Sequence, residues 1–592
     1  MSRLSFRRPL ARLRAVRPDP YPWLVLLFCL FAVLPLAGPD YFFDTHDGLH
    51  SVFFLTEFDA AIRDGVWYPG WGTDHAFGFG YPSFVYYSPL AYYAAEAFHL
   101  VGAGMVGAVK WTWALSTFGA GLAMYAFARV LLGRKRAVLS AVVYVYMPYH
   151  LVDAYVRGDL REYASLAWMP LALLAFHRLA EGVTARRIAA AGLAYGALWM
   201  THNVTALVFT PVLVAYVLYL LVRRPLLPES VPEGGRHRRR ARLSQAAGAL
   251  GGAALGLGIS AALILPALLE RSFINQSQWV GFGYDYRLHF VYPFQLLSSF
   301  WGYGAAGPGP VDQMSFQLGA VPAILAMIAI AAALRRRGTE RGQTFFWGAA
   351  TLALVFFMLP ISRPVWDALP VPGLVQFPFR LLGLTAVTTA LLGGLALPRQ
   401  RLRRAAGPVL LLAALAAVAS FSYTLPQYTP VTPDDEGALL VLEFDLKYPD
   451  MNGLTAWVTE TPIVSPLAKQ YQSGEPLITA QALAPGAEVE MIRAGGASDE
   501  LWVRSAEGTS LQFYTYYFPG WRVWVDGERL PETALRPEGP YGLLTIDLPE
   551  GEHRVLLRWG DTPVRAAGKA VTVACLGLAL AMLPFGRRRA AA

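Results

Sequence analysis

"YPWLVLLFCLFAVLPLAGPDYFFDTHDGLHSVFF" (Tyr21 to Phe54) sets an apolar run directly against two aspartates, two histidines and a threonine packed between Asp44 and His50. A run of that character reads as a membrane crossing, and the loop that comes after it carries titratable chemistry at the lipid boundary. The preceding "RRPLARLRAVRPDP" makes a basic flank like that of a signal peptide. We read the segment as an uncleaved signal-anchor, because the chemistry begins only a few residues later. Either reading sends the loop beyond it across the membrane.

The remainder of the chain repeats the pattern. Of 592 residues, 55% are apolar and 15% charged, against about a quarter charged in a soluble domain. Apolar runs lie at about 22–38, 109–132, 137–152, 164–180, 188–203, 204–222, 245–269, 313–334, 343–361, 380–398, 405–423 and 567–585. The net charge of +9 resides in short clusters between these runs: "GRKR" (133–136), "HRLAEGVTARR" (177–187), "RRPLLPESVPEGGRHRRRAR" (223–242), "RRRGTER" (335–341), "RQRLRR" (399–404) and the final "RRR" (587–589). Twelve spans put every cluster, and both termini, on the cytoplasmic side. This explains the basicity without nucleic acid. Cys29 and Cys575 both lie in apolar runs, so neither a disulfide framework nor a zinc spacing follows.

Counting "PSFVYYSPLAYYAAEAFHLVGAG" (82–104) as a span would invert everything after it. It is therefore expected to be re-entrant or interfacial, within a first outer loop of 39–108 that is long enough to need a purpose. Residues 424–566 change character. "TSLQFYTYYF", "WRVWVDGERL" and "GLLTIDLPEGEHRVLLRW" alternate like strands, with "VDGE" and "PEGE" as hairpin turns. The expected fold is a polytopic α-helical membrane protein of about twelve spans. A transmembrane domain (1–423) is followed by an extracytoplasmic β-sandwich-like domain (424–566), then a last span and basic tail (567–592).

Three outward segments carry candidate chemistry. In "DTHDGLH", Asp44 can cap a helix with Asp47 in its first turn, but capping needs one carboxylate rather than two with His46 and His50. Those histidines, four apart, could also bind zinc. A carboxylate near lipid suits proton transfer, since low dielectric raises its pKa. In "YVRGDLREYA" (155–164), Arg157, Asp159, Arg161 and Glu162 either neutralise one another at the headgroup level or offer acids for a metal or substrate. In "QFPFRLLG" (376–383), Arg380 either snorkels to headgroups or grips a phosphate with two donors. His202 and Asn203 in "THN", and Arg287 and His289 in "YDYRLHF", are weaker candidates.

"DTHDGLHSVFFLTEFDAAIRDGVWYPGW", "FGFGYPSFVYYSPLAYYAAEAFHLVG", "YMPYHLVDAYVRGDLREYASLAWMPL" and "QFPFRLL" resemble bacterial membrane proteins described as 6-pyruvoyl-tetrahydropterin synthase-related, and are similar to YfhO-type proteins. The pterin label implies little, because the zinc-histidine set of the soluble synthase is not visible here. A wider similarity is to GT-C glycosyltransferases, including oligosaccharyltransferase catalytic subunits and protein O-mannosyltransferases. It implies an acid just after the first span as base or acceptor group, at Asp44 or Asp47. It further implies acidic residues on the second outer loop at Asp159 and Glu162, which could hold a divalent cation such as magnesium or manganese. A basic residue on the lipid-linked phosphate would be Arg380, with Arg157 beside it. "YSPL" (87–90) looks like the Pro-Pro-Leu element of that family's first loop, short of one proline and of a preceding basic residue.

The resemblance thus implies an inverting transferase in the bacterial plasma membrane. A polyprenyl-phosphate sugar would be the donor and an envelope glycan, lipid or protein the acceptor, with His46, His50, Arg157, Asp159, Glu162, His202 and Arg380 contacting substrate. The rivals are a lipid or glycan flippase and a non-catalytic assembly protein. A flippase should place charge deep within its spans, and most runs here are nearly free of it.

Overall fold

A backbone in lipid has no water to bond to, so apolar runs of about 20 residues close their hydrogen bonds as helices. A computed structural model describes residues 19–223, 235–369, 372–399 and 406–584. The N-terminal basic flank, most of 223–242, "RQRLRR" beyond Arg399 and the final "RRR" lie outside the described residues.

Every one of the twelve apolar runs contains a helix. Four of these, Met105–Leu132, Asn203–Val222, Pro378–Ala396 and Pro563–Met582, are long and apolar enough to cross a membrane singly. Three bent pairs pass the same test together, among them Arg134–Val145 with Pro148–Arg157, which turns by 47°. The 82–104 segment forms two short helices, Ser83–Tyr86 and Leu90–Leu100. The longer of them rises about 16 Å, roughly half the hydrocarbon thickness.

At the centre stands Leu381–Ala396, buried along its whole length. It can be buried because it carries no charge and its threonines bond inward: Thr385 and Thr389 donate to the carbonyls of Leu382 (2.7 Å) and Thr385 (2.6 Å). This fixed rod carries Arg380 at its N-terminal end.

Strands begin at Ala480, later than the expected β-rich boundary of 424. They are β1 (Ala480–Ala482), β2 (Glu488–Ala494), β3 (Ser498–Ser505), β4 (Thr509–Tyr516), β5 (Trp521–Val525), β6 (Glu528–Arg529), β7 (Arg536–Glu538), β8 (Leu543–Leu548) and β9 (Gly551–Trp559). They pair antiparallel in two sheets, ordered β1-β4-β8-β7 and β2-β3-β9-β5-β6. The β5–β6 hairpin turns on Asp526 and Gly527, whose φ values of 51° and 88° suit a two-residue loop.

Residues 424–479 are instead partly helical, at Ala438–Lys447 and Pro466–Ser473. "ALLVLEFDLK" has clustered rather than alternating apolar residues, and Leu440, Val441 and Phe444 join the core of the helical part. The sandwich core in turn includes Trp71, Ala76, Phe79 and Val85 from the first outer loop. Trp71 packs 5.0 Å from Trp559, and Tyr516 N–H donates to the Phe79 carbonyl at 2.7 Å.

Candidate active site

The two outer loops meet through backbone bonds. His46 N–H donates to Val156 O (3.2 Å), Asp47 N–H to Arg157 O (2.6 Å) and Ser51 Oγ to Gly158 O (3.0 Å). Gly158 makes this contact possible. Its φ is +68°, and a Cβ there would lie 2.4 Å from Thr45 Oγ1 and 2.8 Å from Gly48 N. Gly158→Ala should therefore cost about 2 kcal/mol or more, from the left-handed backbone and the clash together. A thermal unfolding midpoint unchanged from wild type would contradict that docking.

Asp153–Arg157 is one wide π-turn, and Asp159 then caps Leu160–Glu181 by accepting from Glu162 N–H at 3.0 Å. Such wide turns re-aim side chains. Here Arg157 is buried and contacts Asp153 (2.6 Å), Glu162 (2.8 Å), Tyr149 Oη (3.0 Å) and Asp159 (3.7 Å). Arg380 reaches Glu162 at 2.9 Å from the opposite side, and donates to Val375 O and Gln376 Oε1. Tyr149 Oη closes the shell with a 2.7 Å bond to Glu162 Oε1. Glu162 therefore holds two guanidiniums, one of them 218 residues away along the chain. The mutual neutralisation expected of "VRGDLRE" is present between Arg157 and the acids Asp159 and Glu162, in buried surroundings.

Arg161 differs. Its guanidinium lies 4.0 Å over the Tyr87 ring, and among the described residues it makes no ion pair. Arg380, named from the sequence as the phosphate group, has its Nε and Nη1 engaged and is ion-paired to Glu162; Arg161 is not ion-paired.

The paired aspartates part company. Asp44 does not cap a helix: the helix is Gly48–Arg63, and Asp47 precedes it without a side-chain cap. Asp44 turns outward to Lys447 (2.7 Å) and Thr429 (3.3 Å), a pairing that holds its pKa low. Asp47 lies in the charge cluster. Burial first, then the charge of Asp159, push its pKa up to about 7 against the pull of Arg157, Arg161 and Arg380. Asp159 goes the other way. Burial raises it, but His202 and the three arginines outweigh that and hold it well below the usual carboxylate range. Two neighbouring acids thus have their pKa values moved in opposite directions.

His46 and His50 do not form the zinc pair. His46 precedes the helix, and its Nε2 meets Gly304 O at 3.1 Å. His50 is stacked on Phe444 (5.2 Å) with Asp47 3.8 Å away. Burial keeps both neutral, at about 4 and about 3, helped by Arg157 for His46 and Arg161 for His50. His50 also lines a narrow crevice of about 20 Å³ with Phe54, His75, Ser83, Tyr87 and Trp279.

His202 joins Asp159 and Glu162, with one donor atom of each lying within 4.8 Å of the others. Its Nδ1 is fixed by Thr205 Oγ1 at 2.7 Å. The O,O,N donor set suits a divalent cation, although Glu162 is already held by Arg157, Arg380 and Tyr149. Asn203 is structural, its N–H donating to Ser88 Oγ at 3.1 Å. Arg287 pairs with Asp367 (2.9 Å), while His289 meets Gly283 O (2.6 Å) and packs edge-on against Phe377 (4.8 Å), the ring under Arg380. Tyr149 and Asp153 complete the cluster without having been singled out from the sequence; Arg161, and Tyr87 of "YSPL", were noted there but given no contact to substrate. Arg161 had a signal: it shares "RGDLRE" with the residues that were chosen.

Residues 84–426 match the family described as "6-pyruvoyl-tetrahydropterin synthase related domain; membrane protein". The chain belongs to this family. Members of it are membrane proteins by that description, in keeping with the apolar helices. No curated protein matches the sequence. Two solved structures are similar at 15% identity. Arabinofuranosyltransferase AftD from Mycobacteria covers 70% of this chain and 29% of its own, at a TM-score of 0.43. The Archaeoglobus fulgidus oligosaccharyltransferase, tethered with an acceptor peptide, covers 76% and 61%, at 0.38. The chain thus spans less than two thirds of either.

Proposed function

We propose that this membrane protein is a glycosyltransferase. It moves a sugar from a polyprenyl-phosphate donor to an envelope glycan, lipid or protein on the extracytoplasmic side of the bacterial plasma membrane, with inversion. The observation that carries the reading is Asp47: a half-buried carboxylate with its pKa lifted to about 7, beside a guanidinium, Arg161, that has no ion-pair partner among the described residues. A base poised near neutrality next to spare positive charge suits attack by a hydroxyl on a phosphate-bearing carbon.

In this mechanism the acceptor oxygen attacks the anomeric carbon as Asp47 takes its proton. The bond from that carbon to the phosphate oxygen breaks, and polyprenyl phosphate leaves with the electron pair. Arg161 receives the phosphate charge. Arg157 and Arg380, clamped by Glu162, set the field around it. A magnesium or manganese ion would be held by Asp159, Glu162 and His202 and would add positive charge near the leaving group; every step of the transfer is carried by the chain's own residues.

Purified protein incubated with a radiolabelled polyprenyl-phosphate sugar and mixed envelope acceptors tests the reading. Labelled product supports a transferase. Movement of label across a vesicle membrane without product would point to a flippase, and neither to an assembly protein. Asp47 must be ionised to act, and its raised pKa keeps it protonated below about 7. The rate should therefore climb as pH rises through about 7; a rate independent of pH between 6 and 8, roughly a unit either side of that pKa, would exclude Asp47 as the base.

A further inference from the structure

An apolar trough of about 1370 Å³ runs between the helices Met105–Leu132, Leu160–Glu181 and Ala185–Thr201, apart from the charge cluster around Glu162. Trp168, Leu171, Ala194 and Ala197 line its length, and Arg129, Arg178, Arg186 and Arg187 gather at one end. Arg187 and Ala197 are ten residues apart on one helix, a rise of about 15 Å, and Trp168 and Arg178 are equally spaced on the next. That depth is one leaflet, half of a hydrocarbon core of about 30 Å.

The arginine end is electropositive. Glu181 offsets Arg178 (2.8 Å) and reaches Arg187 (3.7 Å), while Asp19 is shared by Arg129 (3.2 Å) and Arg134 (3.5 Å). Arg186 is exposed and has no ion-pair partner among the described residues. Positive charge against a hydrocarbon-lined slot one leaflet deep matches a phosphate joined to acyl chains. A partner helix would have to bring carboxylates to the same place.

We infer that this trough is a binding site for an anionic phospholipid of the leaflet at the arginine end. The acyl chains fill the slot and the phosphate meets Arg178, Arg186 and Arg187. The site is independent of the transfer chemistry.

Native mass spectrometry of the purified full chain, titrated with phosphatidylglycerol or phosphatidylcholine, tests it. Phosphatidylglycerol should be retained by wild type in preference to phosphatidylcholine. The double variant Arg178→Gln, Arg186→Gln should lose about thirtyfold in affinity for it, the effect of two surface cations. Ala194→Trp, which fills the slot without touching charge, should weaken retention of both lipids. Equal retention of the two lipids by wild type, unchanged affinity in the double variant, or unchanged retention in Ala194→Trp would each overturn the inference. Glycerol phosphate, which has the anion but no chains, should not compete at concentrations where phosphatidylglycerol does; if it does, the slot is not part of the site. The wild-type lipid comparison decides the matter even if a variant fails to fold.

Discussion

Asp47→Asn is expected to lower transfer by about 10²–10⁴-fold, the usual contribution of a positioned general base. Asp44→Asn, removing an exposed partner of Lys447, should leave it near wild type. The contrast is informative because the sequence treats the two aspartates alike. Folding can be separated from chemistry by the sign of the linkage. The pKa of Asp47 is raised in the folded state, so its contribution to stability is present below the unfolded value and lost as pH rises through about 7. At pH 8, about a unit above that folded pKa, the wild type pays for a buried charge that the asparagine lacks. The variant should unfold at the same temperature or higher there. An inactive Asp47→Asn that is also destabilised at pH 8 would mean that the carboxylate is structural.

Glu162→Ala should be the most destabilising substitution in the cluster. It removes the one carboxylate shared by Arg157 and Arg380 and leaves two guanidiniums without it, Arg157 in buried surroundings. Breaking a buried pair from one side costs about 3–5 kcal/mol, because the remaining charge keeps its desolvation penalty. Glu162→Gln keeps the shape and one acceptor oxygen, and should lose less. Thermal unfolding in detergent reads both. Equal midpoints for wild type and Glu162→Ala would show that Asp153 and Asp159 suffice to neutralise the arginines.

The helices could be read from the sequence because each apolar run imposes the same solution on its backbone. The β5–β6 hairpin could be read because "VDGE" has the residues that a two-residue turn demands; "PEGE" makes no hairpin, because β8 and β9, which it joins, pair into different sheets. "ALLVLEFDLK" was harder. Surrounded by turn residues in a segment leading into strands, it has no signal that Phe444 will stack on His50. The cluster of acids and arginines was legible as composition, since unpaired charge beside apolar runs is costly. Its wiring was not. Whether Arg380 or Arg161 is left without an ion pair depends on Glu162 meeting Arg380, a contact across 218 residues that local pattern does not encode. The same holds for Asp44 and Asp47, which three residues of turn separate into solvent and interior.

The sandwich takes Trp71 and Phe79 from a loop that is synthesised some 400 residues earlier than its first strand. At about 5–20 residues per second, these aromatic side chains wait roughly 20–80 s on the ribosome's timetable before their partners exist. During that interval these rings have no strands to cover them. Closure of the sandwich core is thereby tied to the end of translation, so that a chain interrupted midway leaves Trp71 and Phe79 without the partners that bury them.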